Sequence, residues 1–266
     1  MKKDQNLDVR YDFFSGERVG DVIVLRLKEN MMHYIIDLED KGLLFDYLEL
    51  VSKTDSVKVL LIIGSPKKMD SEEYIEFYCR LLEGGLVKKG DAKLYNALNQ
   101  LILEMVSFNK LVIHADSGNL ISLYVNVSLA CDYRIIGDNS IFQNPYLDLG
   151  LVPKGGGAFF LSKMLGASKA FEVLLSGKDL SAEEALGLGI VDKIVPSDKL
   201  DEEAVKTAQA FARKPVHSML GIKRLLNCCT KDLENCLKCE DELLYRIIHG
   251  SDFRKRLREW RNLETN

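Results

Sequence analysis

Two stretches of the sequence decide the fold: Leu129-Ala-Cys-Asp132 and Leu149-Gly-Leu-Val-Pro-Lys-Gly-Gly-Gly157. The first leads into Asp132–Gly137, whose composition predicts a strand. In the second, the closing run of glycines predicts the start of a helix. Further along, Ser181 is a good N-cap, and Glu184 follows three residues later, so a capping box and another helix are expected there.

Upstream of this region, strand patterns alternate with helical ones. Strands are predicted where the sequence is rich in β-branched residues or continuously apolar, at Asp21–Lys28, Val57–Gly64 and Leu111–Ala115. Helices are predicted where helical spacing of apolar residues recurs, at Leu38–Val51, Asp91–Phe108 and Asn119–Ala130. Strand, helix and strand at this rhythm indicate an α/β class with crossover connections between parallel strands.

The chain divides by pattern near residue 197. We predict an α/β core over residues 1–197 and a helical region over residues 198–266, which is broken near Lys214-Pro215. Within the core, a polar segment from Ser65 to Asp91 contains Gly84-Gly85 and Lys88-Lys-Gly90, which indicate a loop.

Composition limits the function classes. With 266 residues, the chain can form one large domain, or one domain and a small appendage. The formal net charge of -4 gives no electrostatic reason to expect nucleic acid. No apolar run approaches the ~18 residues of a membrane span, and no apolar stretch follows Met1–Gln5. We therefore expect a cytoplasmic protein with neither nucleic acid nor a membrane as partner.

The six cysteines do not indicate a disulfide scaffold. Cys236-Leu-Lys-Cys239 has zinc-like spacing, but it lies in a strongly helical pattern, where residues three apart share a helix face. Ordinary reduced cysteines are the simpler interpretation, and no metal site is predicted.

From Lys110 to Pro196 the sequence resembles the enoyl-CoA hydratase/isomerase, or crotonase, family. The matching segments are the two quoted first, followed by Leu175-Ser-Gly177, Ser181-Ala-Glu-Glu-Ala185 and Leu188-Gly-Ile-Val-Asp-Lys-Ile-Val-Pro196. Each segment alone is weak, whereas their order and spacing together are specific. Weaker matches at Asp21–Asn30, at Val57–Gly64 and at Ser251-Asp-Phe-Arg254 with Trp260 extend the resemblance over nearly the whole chain.

The resemblance implies an α/β fold of a particular kind, a crotonase-like spiral of β-β-α repeats with a C-terminal helical segment. It implies that the helices of residues 198–266 pack between subunits of a homotrimer or a hexamer. It also implies an acyl-CoA or acyl-carrier thioester as partner, with coenzyme A as part of the substrate and no separate cofactor.

The family's shared step is the stabilisation of an enolate by two backbone N–H groups that point at the thioester oxygen. The resemblance places the family's glycine triplet on Ser122, Leu123 and Tyr124, so Leu123 would supply one donor. The other donor would be Asp70, in Met69-Asp70-Ser71. The neighbours expected to touch the substrate are Tyr124, Ser122, Met69 and Ser71.

Hydration needs two carboxylates that grip one water molecule. The resemblance places these two catalytic positions at Asn126 and Tyr146. Neither side chain titrates usefully near neutral pH. A reaction other than paired-glutamate hydration is therefore expected.

Other branches of the family recruit an acid or a base from elsewhere. The candidates in this chain are Tyr146, Tyr124, His114, Asp116, Asp70 and Glu72. Each has a structural alternative: Tyr146 can pack a loop, Tyr124 can fill the acyl tunnel, and His114 can be a hydrogen-bonded core histidine. Glu72 can lie on the solvated face of a helix. Candidates for binding CoA phosphates, all of them ordinary surface residues otherwise, are Lys154, Lys223, Arg224 and Arg254–Arg258.

Three functional hypotheses follow. The first is a divergent crotonase-family enzyme, a lyase or an isomerase of fatty-acid-type thioesters. The second is a catalytically inactive binding or scaffolding protein with the same fold. The third is a conventional hydratase or isomerase whose acids lie at other positions.

Overall fold

The structure is a computed structural model that describes residues 7–28, 38–76, 91–121, 127–228 and 230–264. Its strands, in chain order, are β1 (Val9–Arg10), β2 (Phe14–Val19), β3 (Val22–Leu27), β4 (Val59–Ile63), β5 (Leu111–Asp116), β6 (Asn119–Ile121), β7 (Tyr133–Gly137), β8 (Ile141–Gln143), β9 (Leu180–Ser181) and β10 (Lys193–Val195).

The helices follow the same order. They are α1 (Leu38–Lys53), α2 (Asp91–Ser107), α3 (Gly157–Leu165), α4 (Ala167–Ser176), α5 (Ala182–Gly187), α6 (Leu200–Ala212), α7 (Val216–Leu226), α8 (Thr230–His249) and α9 (Ser251–Glu264). Residues 71–76 and 127–129 are also helical.

The main sheet has the order β1-β2-β3-β4-β5-β7-β10. Its first three strands are antiparallel, and the strands from β3 to β10 are parallel. Leu25, Ile62 and His114 stand in register across β3, β4 and β5. Because these strands are parallel, their carboxyl ends meet at one edge of the sheet, where open α/β folds bind ligands. A smaller sheet joins β6, β8 and β9.

The β4 strand shows how the core is divided. All five of its residues are buried, as its continuous apolar run predicts for a parallel strand covered on both faces. Alternation sends Leu60 and Ile62 to the larger core, and Val59, Leu61 and Ile63 to a second core on the other face. That second core is closed by α6, through its buried face of Leu200, Ala204, Ala208 and Ala212.

Most of the predicted elements are confirmed, including the capping box at the start of α5. Ser181 Oγ accepts the Glu184 N–H at 3.2 Å, and the Glu184 carboxylate accepts the Ser181 N–H at 2.8 Å. The α/β class is confirmed as well, because a largely parallel sheet is followed by a helical C-terminal segment.

The helix predicted over Asn119–Ala130 is wrong at its start. Asn119–Ile121 is the β6 strand, paired in parallel with β8 through contacts such as Leu120 with Phe142. Both of these side chains are buried. The burial gained in the small sheet outweighs the local helical spacing, which is a weak preference. Residues 122–126 lie outside the described part of the chain.

The helical region does not stand apart from the sheet, because α6 packs on the strands of the core. The predicted boundary at residue 197 therefore stays a prediction. Across the described ranges, no helix has both the length and the apolar character that crossing a membrane requires. The cytoplasmic location also stays a prediction.

Candidate functional site

A cavity of about 30 Å³ opens at the carboxyl ends of β3, β4 and β5, between the sheet and helices α1 and α2. This exceeds the roughly 10–15 Å³ that one water molecule needs. The walls are mostly apolar, with Leu25, Leu27, Leu44, Leu48, Leu101 and Met105 among them. Apolar walls with a few convergent polar groups are typical of small-molecule sites.

The titratable side chains of the cavity wall form a cluster of three residues, Lys68, Asp116 and His114, which we call the Lys68–Asp116–His114 cluster. His114 and Asp116 are two residues apart on β5, so both side chains point to the same face of the sheet. Lys68, in the loop after β4, forms an ion pair with Asp116 Oδ1. His114 Nε2 lies 3.8 Å from Asp116 Oδ2.

His114 is incompletely satisfied. Its side chain is 8% exposed, and Nδ1 has no hydrogen-bond partner among the residues that the structure describes. Burial lowers the pKa of His114 to about 4, with Lys68 and Arg134 acting in the same direction and Asp116 opposing them. The imidazole is therefore neutral at neutral pH, and its Nδ1 is unpaired within the described residues.

Gly64 makes this arrangement possible. It follows β4, and its N–H donates to Ala115 O at 2.8 Å, which extends the pairing of β4 with β5. A Cβ atom at Gly64 would overlap the carboxylate of Asp116. The missing side chain therefore gives Asp116 the space to approach β4.

In the loop that was predicted to supply an oxyanion donor, Asp70 caps a helical segment. Asp70 Oδ1 accepts the Glu73 N–H at 2.8 Å, and the Asp70 N–H donates to the Glu73 carboxylate at 3.3 Å. Residues 71–76 are helical, so Asp70 and Ser71 form the start of that segment. Met69 is buried in the larger core. In this conformation the Asp70 amide is already bonded, which does not support its predicted role as an oxyanion donor.

Tyr146 is also used within the protein. Its side chain is buried, its hydroxyl donates to Leu174 O on α4 at 2.9 Å, and burial raises its pKa to about 12. Tyr146 does not line the cavity. These contacts support the packing interpretation rather than a catalytic one.

Four predicted site residues lie outside the described residues: Ser122, Leu123, Tyr124 and Asn126. Val127, which comes directly after them, lines the cavity. The structure therefore brings His114 and Asp116 together, places Asp70 and Tyr146 elsewhere, and leaves Leu123 and Asn126 as predictions.

A family model described as enoyl-CoA hydratase/isomerase matches residues 44–263. The chain belongs to the enoyl-CoA hydratase/isomerase family. This match includes the Lys68–Asp116–His114 cluster and extends into the last helix, and it confirms the resemblance that the motifs carry.

Two curated relatives illustrate the range of this family. The chain is 25% identical over 179 residues to the trans-2-decenoyl-[acyl-carrier-protein] isomerase of Streptococcus mutans, which covers 67% of this chain and 68% of that protein. It is 29% identical over 166 residues to the 2,3-dehydroadipyl-CoA hydratase of Escherichia coli, which covers 61% of this chain and 64% of that protein. The chain thus spans about two thirds of each relative.

Among solved structures, the chain is similar to an enoyl-CoA hydratase from Bacillus halodurans. The TM-score is 0.77 at 22% identity, with coverage of 93% of this chain and 100% of the other. At this identity the likeness establishes the crotonase fold.

Two lysines predicted as candidates for CoA phosphates are instead buried in the interior. Lys154 forms an ion pair with Asp241 and donates to Asn99 Oδ1 at 2.9 Å. Lys223 forms an ion pair with Asp132 at 2.7 Å. For these two residues the prediction is wrong, because their charges are already paired within the fold. Arg254, Arg256 and Arg258 are exposed on α9.

A buried carboxylate holds the glycine turn that opens α3. Both oxygens of Glu240, on α8, accept the Gly156 N–H at 3.0 and 3.1 Å. Burial raises the pKa of Glu240 to about 7, although this hydrogen bond and the charge of Lys154 lower it. Within the described ranges, no group of three or more His, Cys, Asp and Glu side chains could hold a metal ion.

Sequence reasoning named His114 and Asp116 as candidates but missed Lys68. Two polar residues two positions apart at the end of a buried strand were a usable signal, because such residues share a face. Lys68 lies in an irregular loop, where no periodicity shows which way a side chain points.

Proposed function

We propose that this protein binds an acyl thioester, of CoA or of an acyl carrier, in the cavity at the ends of β3, β4 and β5. It stabilises the enolate of that thioester in a lyase- or isomerase-type reaction other than paired-glutamate hydration. The observation that carries the proposal is the Lys68–Asp116–His114 cluster at the wall of an apolar cavity.

The cavity suits this substrate class chemically. Its apolar walls match the chemistry of an acyl chain, whereas an enolate needs polar groups close to the developing charge. Lys68 supplies a positive charge there, and His114 supplies a nitrogen that is not otherwise engaged. The predicted oxyanion donor Leu123 precedes Val127, which lines the same cavity.

The proposal does not include paired-glutamate hydration, because the two side chains at the expected catalytic positions are not carboxylates. The resemblance puts Asn126 and Tyr146 at the positions of the two carboxylates, and the hydroxyl of Tyr146 donates to Leu174 O on α4. A proton-transfer reaction in this protein must use other groups, and the cluster provides them.

The second candidate is a binding or scaffolding protein without catalysis. Two observations favour it: the Asp70 amide is bonded to Glu73, and the cavity is small. The two candidates differ in one measurable property, which is the exchange of the α-protons of a bound thioester with solvent.

Binding is tested first by thermal unfolding with a panel of short and medium acyl-CoA thioesters. A thioester at 100 times its Kd stabilises the folded protein by about 2.7 kcal/mol, a rise in Tm of roughly 5–10 °C for a chain of this size. Val127→Phe narrows the cavity and should abolish the rise. Leu186→Phe, at an exposed position of α5, should leave it unchanged.

Enolate formation is tested next in deuterium oxide. Deuterium at the α-carbon of a bound acyl-CoA, detected by mass spectrometry, supports the enzyme. Binding without exchange supports the scaffold, and no binding across the panel contradicts both thioester proposals. Hydration of crotonyl-CoA would instead support a conventional hydratase.

We also propose that the protein assembles as a homotrimer or a hexamer. Large apolar side chains are exposed on α7 (Ile222, Leu225 and Leu226) and on α4 (Phe171 and Leu175). Exposed apolar surface of this extent is typical of interfaces. Light scattering that gives the mass of a single chain would contradict this proposal.

A further inference from the structure

The unused nitrogen of His114 needs an explanation. A buried polar atom without a partner costs about 1–3 kcal/mol, so most such atoms in folded proteins are satisfied. Nδ1 of His114 has no partner among the described residues, and the side chain lies against a cavity. A polar group of a ligand or a reacting hydrogen atom would satisfy it.

The surroundings determine which nitrogen carries the proton. His114 Nε2 faces the carboxylate of Asp116 at 3.8 Å, and a negative charge favours an N–H on the nitrogen that faces it. A neutral imidazole with its proton on Nε2 has its lone pair on Nδ1. Nδ1 is therefore the ring nitrogen that can accept a proton.

We propose that His114 is the general base of the thioester reaction, with Asp116 and Lys68 as positioning residues. This inference rests on the proposed function. Nδ1 removes a proton from the α-carbon of the acyl group; the C–H bond breaks, an N–H bond forms, and the electron pair moves into the enolate of the thioester. Return of the proton to the same carbon, or to another carbon of a conjugated chain, completes the step without an oxidant or a reductant.

The charges around His114 fit this step. Asp116 favours the imidazolium that forms, and its own charge is held in place by Lys68. Arg134 lies beside His114 on β7, where its guanidinium is paired with Asp192 at 2.7 Å. Lys68 and Arg134 disfavour the imidazolium in the free protein. The enolate formed in the same step carries the opposite charge and offsets that effect.

The test compares His114→Gln with His217→Gln in the full-length protein. His217 is exposed on α7, so its replacement is a matched control. Acetyl-CoA and butyryl-CoA serve as probes in deuterium oxide. We expect His114→Gln to lower deuterium incorporation by at least about 100-fold, a typical general-base contribution, while binding changes by less than about threefold. We expect His217→Gln to behave as the unmodified protein does.

The pH profile provides a second readout that a purely structural role would not change. In the unmodified protein, the rate of α-proton exchange should increase with pH as His114 loses its proton, well below pH 6.5. The rate should then stay constant through neutral pH, because His114 must be neutral to act as the base. Asp116→Asn should lower the plateau about tenfold and move the ionisation to lower pH. Lys68→Met should move it to higher pH.

The outcomes separate this inference from the proposed function. If His114→Gln exchanges protons as fast as the unmodified protein, His114 is not the base, although the enolate chemistry stands. If the unmodified protein binds both thioesters without exchange, the base and the enolate chemistry are both overturned and the scaffold remains. If it binds neither thioester, the proposed function and this inference fail together. If His114→Gln does not fold, Asp116→Asn provides the test. The inference is overturned if the ionisation in the pH profile of α-proton exchange stays at the same pH in Asp116→Asn.

Discussion

Two buried lysine–aspartate pairs in this protein differ in how completely their polar atoms are satisfied. Lys223 Nζ donates to Asp132 at 2.7 Å, and to Met105 O and Lys110 O at 3.1 Å each. An ammonium group has three protons, so every one of them is used. Asp132 Oδ2 also accepts the Val112 N–H at 2.7 Å. We call this the closed pair.

The pair in the cavity is open by comparison. Asp116 binds Lys68 and accepts the Ser117 N–H at 2.9 Å. Its second oxygen lies 3.8 Å from His114 Nε2, and His114 Nδ1 is unpaired within the described residues. The closed pair connects α7 to the core, and its lysine has no proton left for a ligand. The open pair has capacity for a ligand and adjoins a cavity, so the two pairs should respond differently to the same substitutions.

The largest expected effect is the loss of stability on breaking the closed pair. Lys223→Met removes three donors from buried acceptors and leaves Asp132 without its partner, and such a change costs about 3–5 kcal/mol. Lys68→Met should cost less, about 1–2 kcal/mol, because the Lys68 side chain is 16% exposed and water can enter the cavity. The free energy of unfolding, measured in urea, checks both values.

A matched control separates charge from packing. Lys169→Met removes an exposed lysine paired with Glu172 on α4, and it should change stability by less than about 0.5 kcal/mol. Equal losses for Lys223→Met and Lys68→Met would contradict the distinction between the closed and the open pair.

The next effect is a dependence of stability on pH that comes from His114. Its pKa of about 4 in the folded protein lies below the usual 6.5, so the unfolded chain binds more protons between these values. Above pH 6.5 the protonation of His114 does not reduce the free energy of unfolding. As the pH falls to 4, the free energy of unfolding decreases by about 3 kcal/mol in total. The difference in unfolding free energy between the unmodified protein and His114→Gln should therefore decrease over this range.

Glu240 provides a comparison of opposite sign. Its pKa of about 7 lies above the usual 4.5, so the folded protein holds the extra proton and stability falls as the pH rises from 4.5 to 7. Glu240→Gln keeps an acceptor for the Gly156 N–H and should remove this dependence, also about 3 kcal/mol in size. Differences that change in the same direction with pH for both variants would contradict these assignments.

A smaller effect is expected at Gly64. Gly64→Ala places a methyl group against the Asp116 carboxylate, so the open pair must shift, at a cost of about 2 kcal/mol. Gly221→Ala makes the same chemical change inside α7, where an added Cβ would meet no described atom within 4 Å beyond its own helix backbone and its chain neighbours. It should stabilise the protein by about 1 kcal/mol through helix propensity. Thermal unfolding checks both signs. A neutral Gly64→Ala would show that Asp116 does not depend on this close approach.

The sequence predicted those parts of the molecule in which local pattern and tertiary structure agree. The continuous apolar run of β4 and the capping box at Ser181 are local signals, and both are confirmed. The error at Asn119–Ile121 came from pairing with β8, a contact distant in the sequence that overrides a local helical pattern.

The same limit applies to the site. His114 and Asp116 were among the candidates for an acid or a base, whereas Lys68 lies in a loop without a period. Lys154 and Lys223 were assigned to the surface because lysine usually lies there. Their burial depends on Asp241 and Asp132, which are far from them in the sequence.

The smallest expected effect tests whether Tyr146 takes part in the chemistry at the cavity. Tyr146→Phe removes the hydroxyl that donates to Leu174 O and leaves that carbonyl without this donor, at a cost of about 1 kcal/mol. If the Lys68–Asp116–His114 cluster transfers the proton, α-proton exchange in Tyr146→Phe should stay within about twofold of the unmodified protein. A catalytic tyrosine would instead lose about 100-fold or more in exchange. The loss of stability and the loss of α-proton exchange in Tyr146→Phe therefore distinguish two assignments of the chemistry. One is Tyr146, which the family resemblance indicates, and the other is the cluster, which the geometry indicates. A large loss of α-proton exchange without a loss of stability would indicate that Tyr146, rather than the cluster, transfers the proton.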